Sequence, residues 1–198
     1  MGRPRSYDQQ DVLKKAMKQF WKTGFAETSL SDLENATGLN RYSLYKGFGD
    51  KEALYSQAME YYYQTIIAMM LKPLREQPAG AAALQSYFTQ LNQLLKAEYG
   101  RYGCMIQNMQ RESIVEKDLT RSYAKKLWLE QTELISACLR SEDFTLTLNN
   151  QDCVQILLAQ IQAQISLARS HAPASLLDAQ SQASLNLIKS WRSQKDQA

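Results

Sequence analysis

The chain has 198 residues, of which 44% are hydrophobic and 22% are charged, and its formal net charge is +3. This composition is ordinary for a soluble globular protein, and the length suits one or two domains that can bury a core. The net charge is too small for a polycation, and no stretch approaches the roughly 18 apolar residues of a membrane span.

Cysteine usage bounds the metal chemistry and the compartment. Cys104, Cys138 and Cys153 are widely spaced and odd in number, so they form neither a zinc-binding pattern nor a disulfide framework. The opening M-G-R-P-R-S lacks the apolar core of a signal peptide. We therefore expect a protein of the reducing cytoplasm that has no metal site and no cofactor.

The first predicted helix spans residues 8–22 and is basic. Its apolar residues recur at helical spacing, which indicates a core-facing stripe. Residues 1–22 hold six lysines and arginines against two aspartates, a local excess of four positive charges. A basic patch of this size suits contact with phosphates.

Two short helices joined by a tight turn are predicted between residues 25 and 54. Ser29, with Asp32 three residues later, has the side chain of an N-cap for the first of them. Gly38 stands where a C-terminal glycine usually ends a helix, and Asn40 is a good N-cap for the second. The pattern therefore predicts a helix-turn-helix.

The second short helix presents a polar outer surface. Leu44 and Phe48 lie four residues apart and are predicted to face the core. The outer faces keep Arg41, Tyr42, Ser43, Tyr45 and Lys46. Lysine and arginine neutralise phosphates, while serine and tyrosine reach phosphates or base edges, so this helix is predicted to read a DNA major groove.

Several short motifs frame these two helices. They are Gly24-Phe25, Thr28-Ser29, Gly38-Leu39-Asn40, Leu44-Tyr45, Phe48, Lys51-Glu52 and Leu54. With these residues the segment resembles the helix-turn-helix of the TetR family of bacterial transcriptional regulators. The resemblance covers roughly the first 55 residues. Tyr42 departs from the pattern where a small residue is usual, and Gly47 departs where an aromatic residue or histidine is usual.

The resemblance implies a regulator that binds double-stranded DNA at a palindromic operator, most often a repressor released by a small-molecule effector. A DNA-binding domain is expected at residues 1–50, and an effector-binding and dimerisation domain at residues 51–198. Arg3 and Arg5 are expected in the adjacent minor groove or on phosphates. The full set of expected DNA contacts is Arg3, Arg5, Thr28, Ser29, Arg41, Tyr42, Ser43, Tyr45, Lys46 and Lys51.

The rest of the chain reads as further helices, which makes an all-α protein of about nine helices. A fourth helix is predicted from residue 51 to residue 72, where Pro73 would end it, and it is apolar on nearly every side. Residues 144–148 alternate like a strand but lack an obvious partner, so we interpret them as a loop. An amphipathic helix follows the loop at Gly80 and stops around residue 99, and the remaining predicted helices span residues 101–113, 116–140, 151–170 and 174–192.

A homodimer is expected through the last two helices, from the resemblance and from their apolar stripes. The first stripe is Val154, Leu157, Leu158, Ile161 and Ile165, and the second is Leu177, Leu185, Ile188 and Trp191. The small residues Ala159, Ala163 and Ser166 would allow a close approach of the two protomers.

Cys104 begins the most unusual stretch outside the helix-turn-helix. It follows Gly103 at the start of a predicted helix, where the helix dipole would lower the pKa of a thiol. The stretch also resembles the Gly-Cys-Leu/Met start of the sixth helix in one TetR subgroup, in parts of which the cysteine lies beside the effector pocket. We favour a buried structural cysteine over a sensing thiol, because free cysteine is among the most buried residue types. The expected pocket residues are Tyr62, Ile66, Cys104, Gln107, Asn108, Trp128 and Gln160.

Two other functions stay open from the sequence. One is an architectural DNA-binding dimer without an effector, and the other is a thiol enzyme that pairs Cys104 with His171, the only histidine. The chain has no P-loop, G-x-G-x-x-G, H-E-x-x-H or G-x-S-x-G motif. We therefore expect a protein that is not an enzyme.

Overall fold

The computed structural model describes residues 7–76, 79–110, 112 and 117–192, without the side chains of residues 117–120. Within these residues the chain is helical and contains no strand, so the all-α prediction is confirmed. Arg3 and Arg5 lie outside the described residues. The helices are α1 (Gln9–Glu27), α2 (Leu30–Thr37), α3 (Arg41–Phe48), α4 (Lys51–Tyr62), α5 (Ala68–Arg75), α6 (Ala81–Lys96), α7 (Met105–Met109), α8 (Lys117–Leu139), α9 (Asn150–Arg169) and α10 (Ala174–Ser190).

Packing divides the chain into two compact units. The first unit contains Met1–Ile67 and Cys104–Ala124, and the second contains Ala68–Gly103 and Lys125–Ala198. This division follows packing alone, so the functional boundary expected at residue 50 stays a prediction.

Local capping sets the ends of α2 and α3 as the sequence predicts. Ser29 and Asp32 form a reciprocal capping box at the start of α2, and Gly38 ends that helix in the left-handed conformation at φ 76°. The Asn40 side chain accepts the Ser43 N–H at 2.9 Å and so begins α3. Since each cap satisfies backbone groups that a helix end leaves unpaired, the two helices can be as short as eight residues.

The first helix runs further than expected, through residue 27 instead of residue 22. Its last turns contain Gly24, which is not helical and has a φ of 84°, so α1 is kinked there. Glycine is suited to this position because side chains strain the left-handed region. The kink carries the chain from α1 towards the start of α2.

Proline does not end the fourth predicted helix. The α4 helix ends at Tyr62, a π-helical turn occupies Tyr63–Ile67, and α5 then contains Pro73. Pro73 has no N–H to donate to the carbonyl oxygen of Met69, four residues earlier. That oxygen accepts the Gln90 side-chain amide at 3.2 Å instead, which explains how α5 tolerates the proline.

The later helices agree with the sequence to within a few residues, except that α7 spans only five residues. Residues 144–148 form a loop as expected. Phe144 makes an isolated antiparallel bridge with Arg192, and the Thr145 N–H donates to the Trp191 carbonyl oxygen at 2.9 Å. No helix in the described ranges has the length and apolar character needed to cross a membrane.

The apolar stripes of α9 and α10 pack against other residues of the same protomer. On α9 the five stripe residues are at most 8% exposed, and on α10 Leu177 and Ile188 are fully buried. The expectation that these residues wait for a second protomer is therefore wrong, because they already pack in the core of the second unit. Small residues stay on the outside of both helices, namely Ala159 and Ser166 on α9 with Ala179 and Ala183 on α10. The homodimer itself stays a prediction.

Candidate nucleic-acid interface

The α3 helix is held from one side and leaves its polar side outward. Leu44 is 1% exposed and Phe48 is 4% exposed, so the two residues anchor the helix in the first unit as predicted. Arg41, Tyr42, Tyr45 and Lys46 are all exposed, while Ser43 is half-buried. The structure therefore brings five of the expected contact residues onto one short helix.

Each cation on α3 lies over an aromatic ring one turn away. The Arg41 guanidinium carbon is 5.3 Å from the centroid of the Tyr45 ring, and the Lys46 Nζ is 5.7 Å from that of Tyr42. Contacts of this kind stabilise an exposed pair by about 0.5–1 kcal/mol and hold the long side chains in place. Neither cation forms an ion pair with a carboxylate in the described part of the chain. Both positive charges are therefore available to an anionic partner.

Lys51 adds a third cation at the start of α4. It is half-buried, and its Nζ lies 4.4 Å from the centroid of the Phe25 ring. A lysine in the first turn of a helix opposes the helix dipole, so it does not stabilise α4. The contact with the Phe25 ring offsets part of this cost.

Thr28 is not available for the DNA contact that the sequence predicts. Its side chain is 0% exposed, and its hydroxyl donates to the Gly24 carbonyl oxygen and lies 2.7 Å from the Thr23 hydroxyl. Thr28 therefore fastens the kink at the end of α1. Ser29 is exposed, but its hydroxyl donates to Asp32 Oδ2 at 2.6 Å, so its proton already serves the cap of α2.

Glu112 supports the same kink, although no sequence pattern points to it. Its Oε2 accepts the Ala26 N–H at 2.9 Å. A Cβ at Gly24 would lie 2.5 Å from Glu112 Oε1, so the glycine makes room for the carboxylate. The contact joins residues 86 positions apart, which no local pattern reports.

Two of the expected pocket residues meet inside the first unit. The Tyr62 hydroxyl lies 3.7 Å from Cys104 Sγ and accepts the Met105 N–H at 3.4 Å. Asn108 is buried, while Ile66 and Gln107 are half-buried. These contacts place Tyr62 against the start of α7.

The other two expected pocket residues belong to the second unit. Trp128 is 49% exposed. Gln160 Oε1 accepts hydrogen bonds from Gln180 and Ser184, so the Gln160 side chain joins α9 to α10. The complete pocket stays a prediction.

The structure favours the buried structural cysteine at position 104 over a thiolate. Cys104 is only 5% exposed, and burial raises the pKa of its thiol because a charge there would lose its hydration. Hydrogen bonds to the sulfur, one of them from Tyr62, oppose this effect but do not overcome it. Burial also raises the pKa of Cys138 and Cys153, and all three cysteines are free. Among the described residues no group of three His, Cys, Asp or Glu could hold a metal ion.

A sequence model described as bacterial regulatory proteins, tetR family, matches residues 12–58, which contain α2 and α3 and most of α1. The match identifies residues 12–58 as a segment of the TetR family. Curated relatives and solved structures agree with this assignment.

Two curated relatives illustrate how far the similarity extends. The HTH-type transcriptional repressor ComR of Escherichia coli is 34% identical over 108 residues, which cover 54% of this chain and 51% of ComR. The regulator YezE of Bacillus subtilis is 28% identical over 144 residues, which cover 72% of this chain and 74% of YezE. The match to ComR thus spans about half the length of that relative.

A solved TetR-family structure shares the fold over most of the chain. It is a cysteine mutant of the regulator CifR complexed with 26-bp double-strand operator DNA. The TM-score is 0.74 at 19% identity, and the match covers 93% of this chain and 98% of CifR. At this identity the likeness concerns the fold.

Proposed function

We propose that the protein is a sequence-specific DNA-binding regulator of transcription in which α3 enters the major groove. The observation that carries the proposal is the outward face of α3, where Arg41 and Lys46 are exposed, steadied by Tyr45 and Tyr42, and not ion-paired with a described carboxylate. DNA is the anion that suits a short helix with this face. The operator complex of CifR supports the same conclusion.

The α3 side chains divide into two roles. Lys46, with Lys51 on α4, carries a point charge suited to phosphates, which position the protein without reading sequence. Arg41 lies in the first turn of α3 and can donate two hydrogen bonds to a guanine edge, so it is the better candidate for reading a base, with Ser43 beside it.

Two lysines test the role of α3. Lys46→Ala should weaken binding to duplexes of any sequence and reduce the salt dependence of log Kd by about one. The matched control is Lys15→Ala, because Lys15 is an exposed lysine of α1 that already pairs with Asp11 at 2.7 Å. Fluorescence anisotropy over a range of salt concentrations measures both. If a folded Lys46→Ala protein bound as tightly as the Lys15→Ala protein, the assignment of α3 would be wrong.

A homodimer on a palindromic operator completes the proposal. The exposed small residues Ala159 and Ser166 of α9, with half-buried Ala163 between them, would let a second protomer approach closely. Ala179 and Ala183 continue an exposed small surface on α10. Light scattering at micromolar concentration is the measurement, and a monomer there contradicts this part of the proposal.

The regulator is further proposed to be a repressor that a small, mostly apolar effector releases. ComR is named as a repressor, and the contact between Tyr62 and Cys104 offers one wall of an apolar pocket with a few polar atoms. An effector releases DNA only if it binds the DNA-incompetent state more tightly. Thermal shift against a metabolite panel, with and without DNA, separates this from an effector-free architectural dimer.

The proposed function assigns no reactive role to the Cys104 thiol. Its burial and raised pKa disfavour both a thiol enzyme and a fast-reacting thiol sensor. Cys104→Ser should therefore leave DNA binding unchanged.

A further inference from the structure

Gly47 stands inside α3 without a conformational reason to be glycine. A mid-helix glycine costs about 1 kcal/mol relative to alanine, and Gly47 does not adopt a positive φ. Glycine is instead required at position 47 because a side chain from outside α3 occupies the adjacent space. A Cβ at Gly47 would lie 2.2 Å from the hydroxyl oxygen of Tyr7, so any side chain there would displace this hydroxyl.

Tyr7 stands just before α1, and its side chain lies on α3. Its ring centroid is 6.2 Å from that of Phe48 at an interplanar angle of 32°. Phe48 is buried and holds α3 in the first unit, so the ring contact fixes Tyr7 against the same helix. The hydroxyl end of Tyr7 therefore lies at Gly47, one turn after Ser43 on the helix surface.

The Tyr7 hydroxyl has donor capacity to spare. Tyr7 is half-buried, and its hydroxyl makes no hydrogen bond with the described residues. A tyrosine hydroxyl can donate one hydrogen bond and accept others. Tyrosine is among the side chains that donate to DNA phosphates.

We propose that Tyr7 is a DNA-contacting residue that donates a hydrogen bond to a backbone phosphate beside α3. The contact rests on the proposed DNA binding and adds to it a residue from outside α2 and α3. Because the donor is neutral, it releases no counterion, so its loss weakens binding without changing the salt slope. This signature separates Tyr7 from Lys46, whose loss reduces the slope.

The test compares Tyr7→Phe with the wild type on two labelled duplexes. One has a mixed sequence, and the other is enriched from a random pool by the wild-type protein. Tyr7→Phe should weaken binding to both by about tenfold, as expected for one hydrogen bond to a charged group, with the salt slope and melting temperature unchanged. The control is Tyr61→Phe, a half-buried tyrosine of α4 in the same unit.

Gly47→Ala supplies the second variant. Its methyl group should displace the Tyr7 hydroxyl and weaken binding to a similar degree, yet add little in a Tyr7→Phe background because both changes remove the same contact. A folded Tyr7→Phe protein that binds both duplexes like the wild type would overturn the inference. If Lys46→Ala still weakened binding in that case, the proposed function would stand without the Tyr7 contact. A wild-type protein that binds neither duplex overturns both.

Discussion

The α2–α3 segment and the α9–α10 pair use polar side chains in opposite ways. In α2–α3, Ser29 and Asn40 lie at helix starts and bond to backbone groups three residues away. In α9–α10 two glutamines turn at least partly inward: half-buried Gln160 bonds to Gln180 across 20 residues, and Gln164 is 1% exposed. Neither amide atom of Gln164 has a hydrogen-bond partner in the described part of the chain.

The outward face of α3 is free to contact a partner, whereas the apolar stripe of α9 is already covered within the protomer. Capping uses the side chains of Ser29 and Asn40, while the long cations Arg41 and Lys46 lie outward. In α9 the residues that looked ready for a partner, such as Leu157, are buried within the protomer. An apolar stripe on a helix therefore does not say which neighbour covers it.

The largest expected effect comes from Leu157. This residue is 0% exposed in α9, so Leu157→Ala should lower the free energy of unfolding by about 2–5 kcal/mol through lost burial and a cavity. Urea unfolding followed by circular dichroism measures it. Leu148→Ala is the control, because Leu148 is 46% exposed and should change stability by about 0.5 kcal/mol or less.

The opposite outcome would reverse the comparison between the two regions. If Leu157→Ala left the unfolding free energy unchanged but converted a dimer to a monomer in light scattering, the α9 stripe would be an interface between protomers. The protomer core described above would then be wrong at this helix.

Features of the fold that depend on neighbouring residues can be predicted from the sequence, whereas features that depend on distant residues cannot. The caps of α2 and α3 were predictable residue by residue, because Ser29, Gly38 and Asn40 act on backbone within a few positions. The continuation of the helix through Pro73 was not predictable. It depends on the Met69 carbonyl oxygen, which accepts a hydrogen bond from Gln90, 21 residues away. The π-helical turn at Tyr63–Ile67 left no clear pattern either.

In the candidate site, too, local spacing was predictable and tertiary packing was not. The outward residues of α3 followed from helical spacing around Leu44 and Phe48, and the structure places them on the surface. The burial of Thr28, by contrast, depends on the kink at Gly24, which the sequence did not show. The raised pKa of Cys104 likewise depends on packing, because burial outweighs its position at a helix start.

Two buried glutamines provide the next test. Gln131 donates to the Tyr87 hydroxyl at 2.9 Å, whereas Gln164 has no partner in the described residues. Gln131→Leu should cost about 1–3 kcal/mol, because the buried hydroxyl loses the amide that donates to it. Gln164→Leu should instead stabilise the protein by about 1 kcal/mol, because it removes an unbonded buried amide. Chemical denaturation of both variants, side by side, measures the difference.

The sign of the Gln164 effect is the informative quantity. A loss of stability in Gln164→Leu would mean that water or a bound molecule pairs with the amide in solution. The α9–α10 pair would then hold a polar site, and its contrast with the α2–α3 segment would weaken.

The smallest expected effect concerns the cap of α2. Ser29→Ala should cost about 1 kcal/mol at neutral pH, because Asp32 loses the hydroxyl that donates to it and the backbone loses an acceptor. Ser31→Ala, an exposed serine in the first turn of α2, is the control and should be nearly neutral. Melting temperatures from circular dichroism, measured across pH, provide the comparison.

The pH dependence distinguishes the capping box from a simple loss of helix propensity. Hydrogen bonds from the Ser29 hydroxyl and then from the Ser29 N–H lower the pKa of Asp32 below its ordinary value of 3.8. A carboxyl group with a lowered pKa stabilises the fold above that value, and the contribution is lost as the pH falls below it. The difference between wild type and Ser29→Ala should therefore narrow as the pH falls below 3.8. A difference that stayed constant down to acid pH would mean that Asp32 takes no part in the cap, and that α2 begins for reasons other than the local chemistry of its first turn.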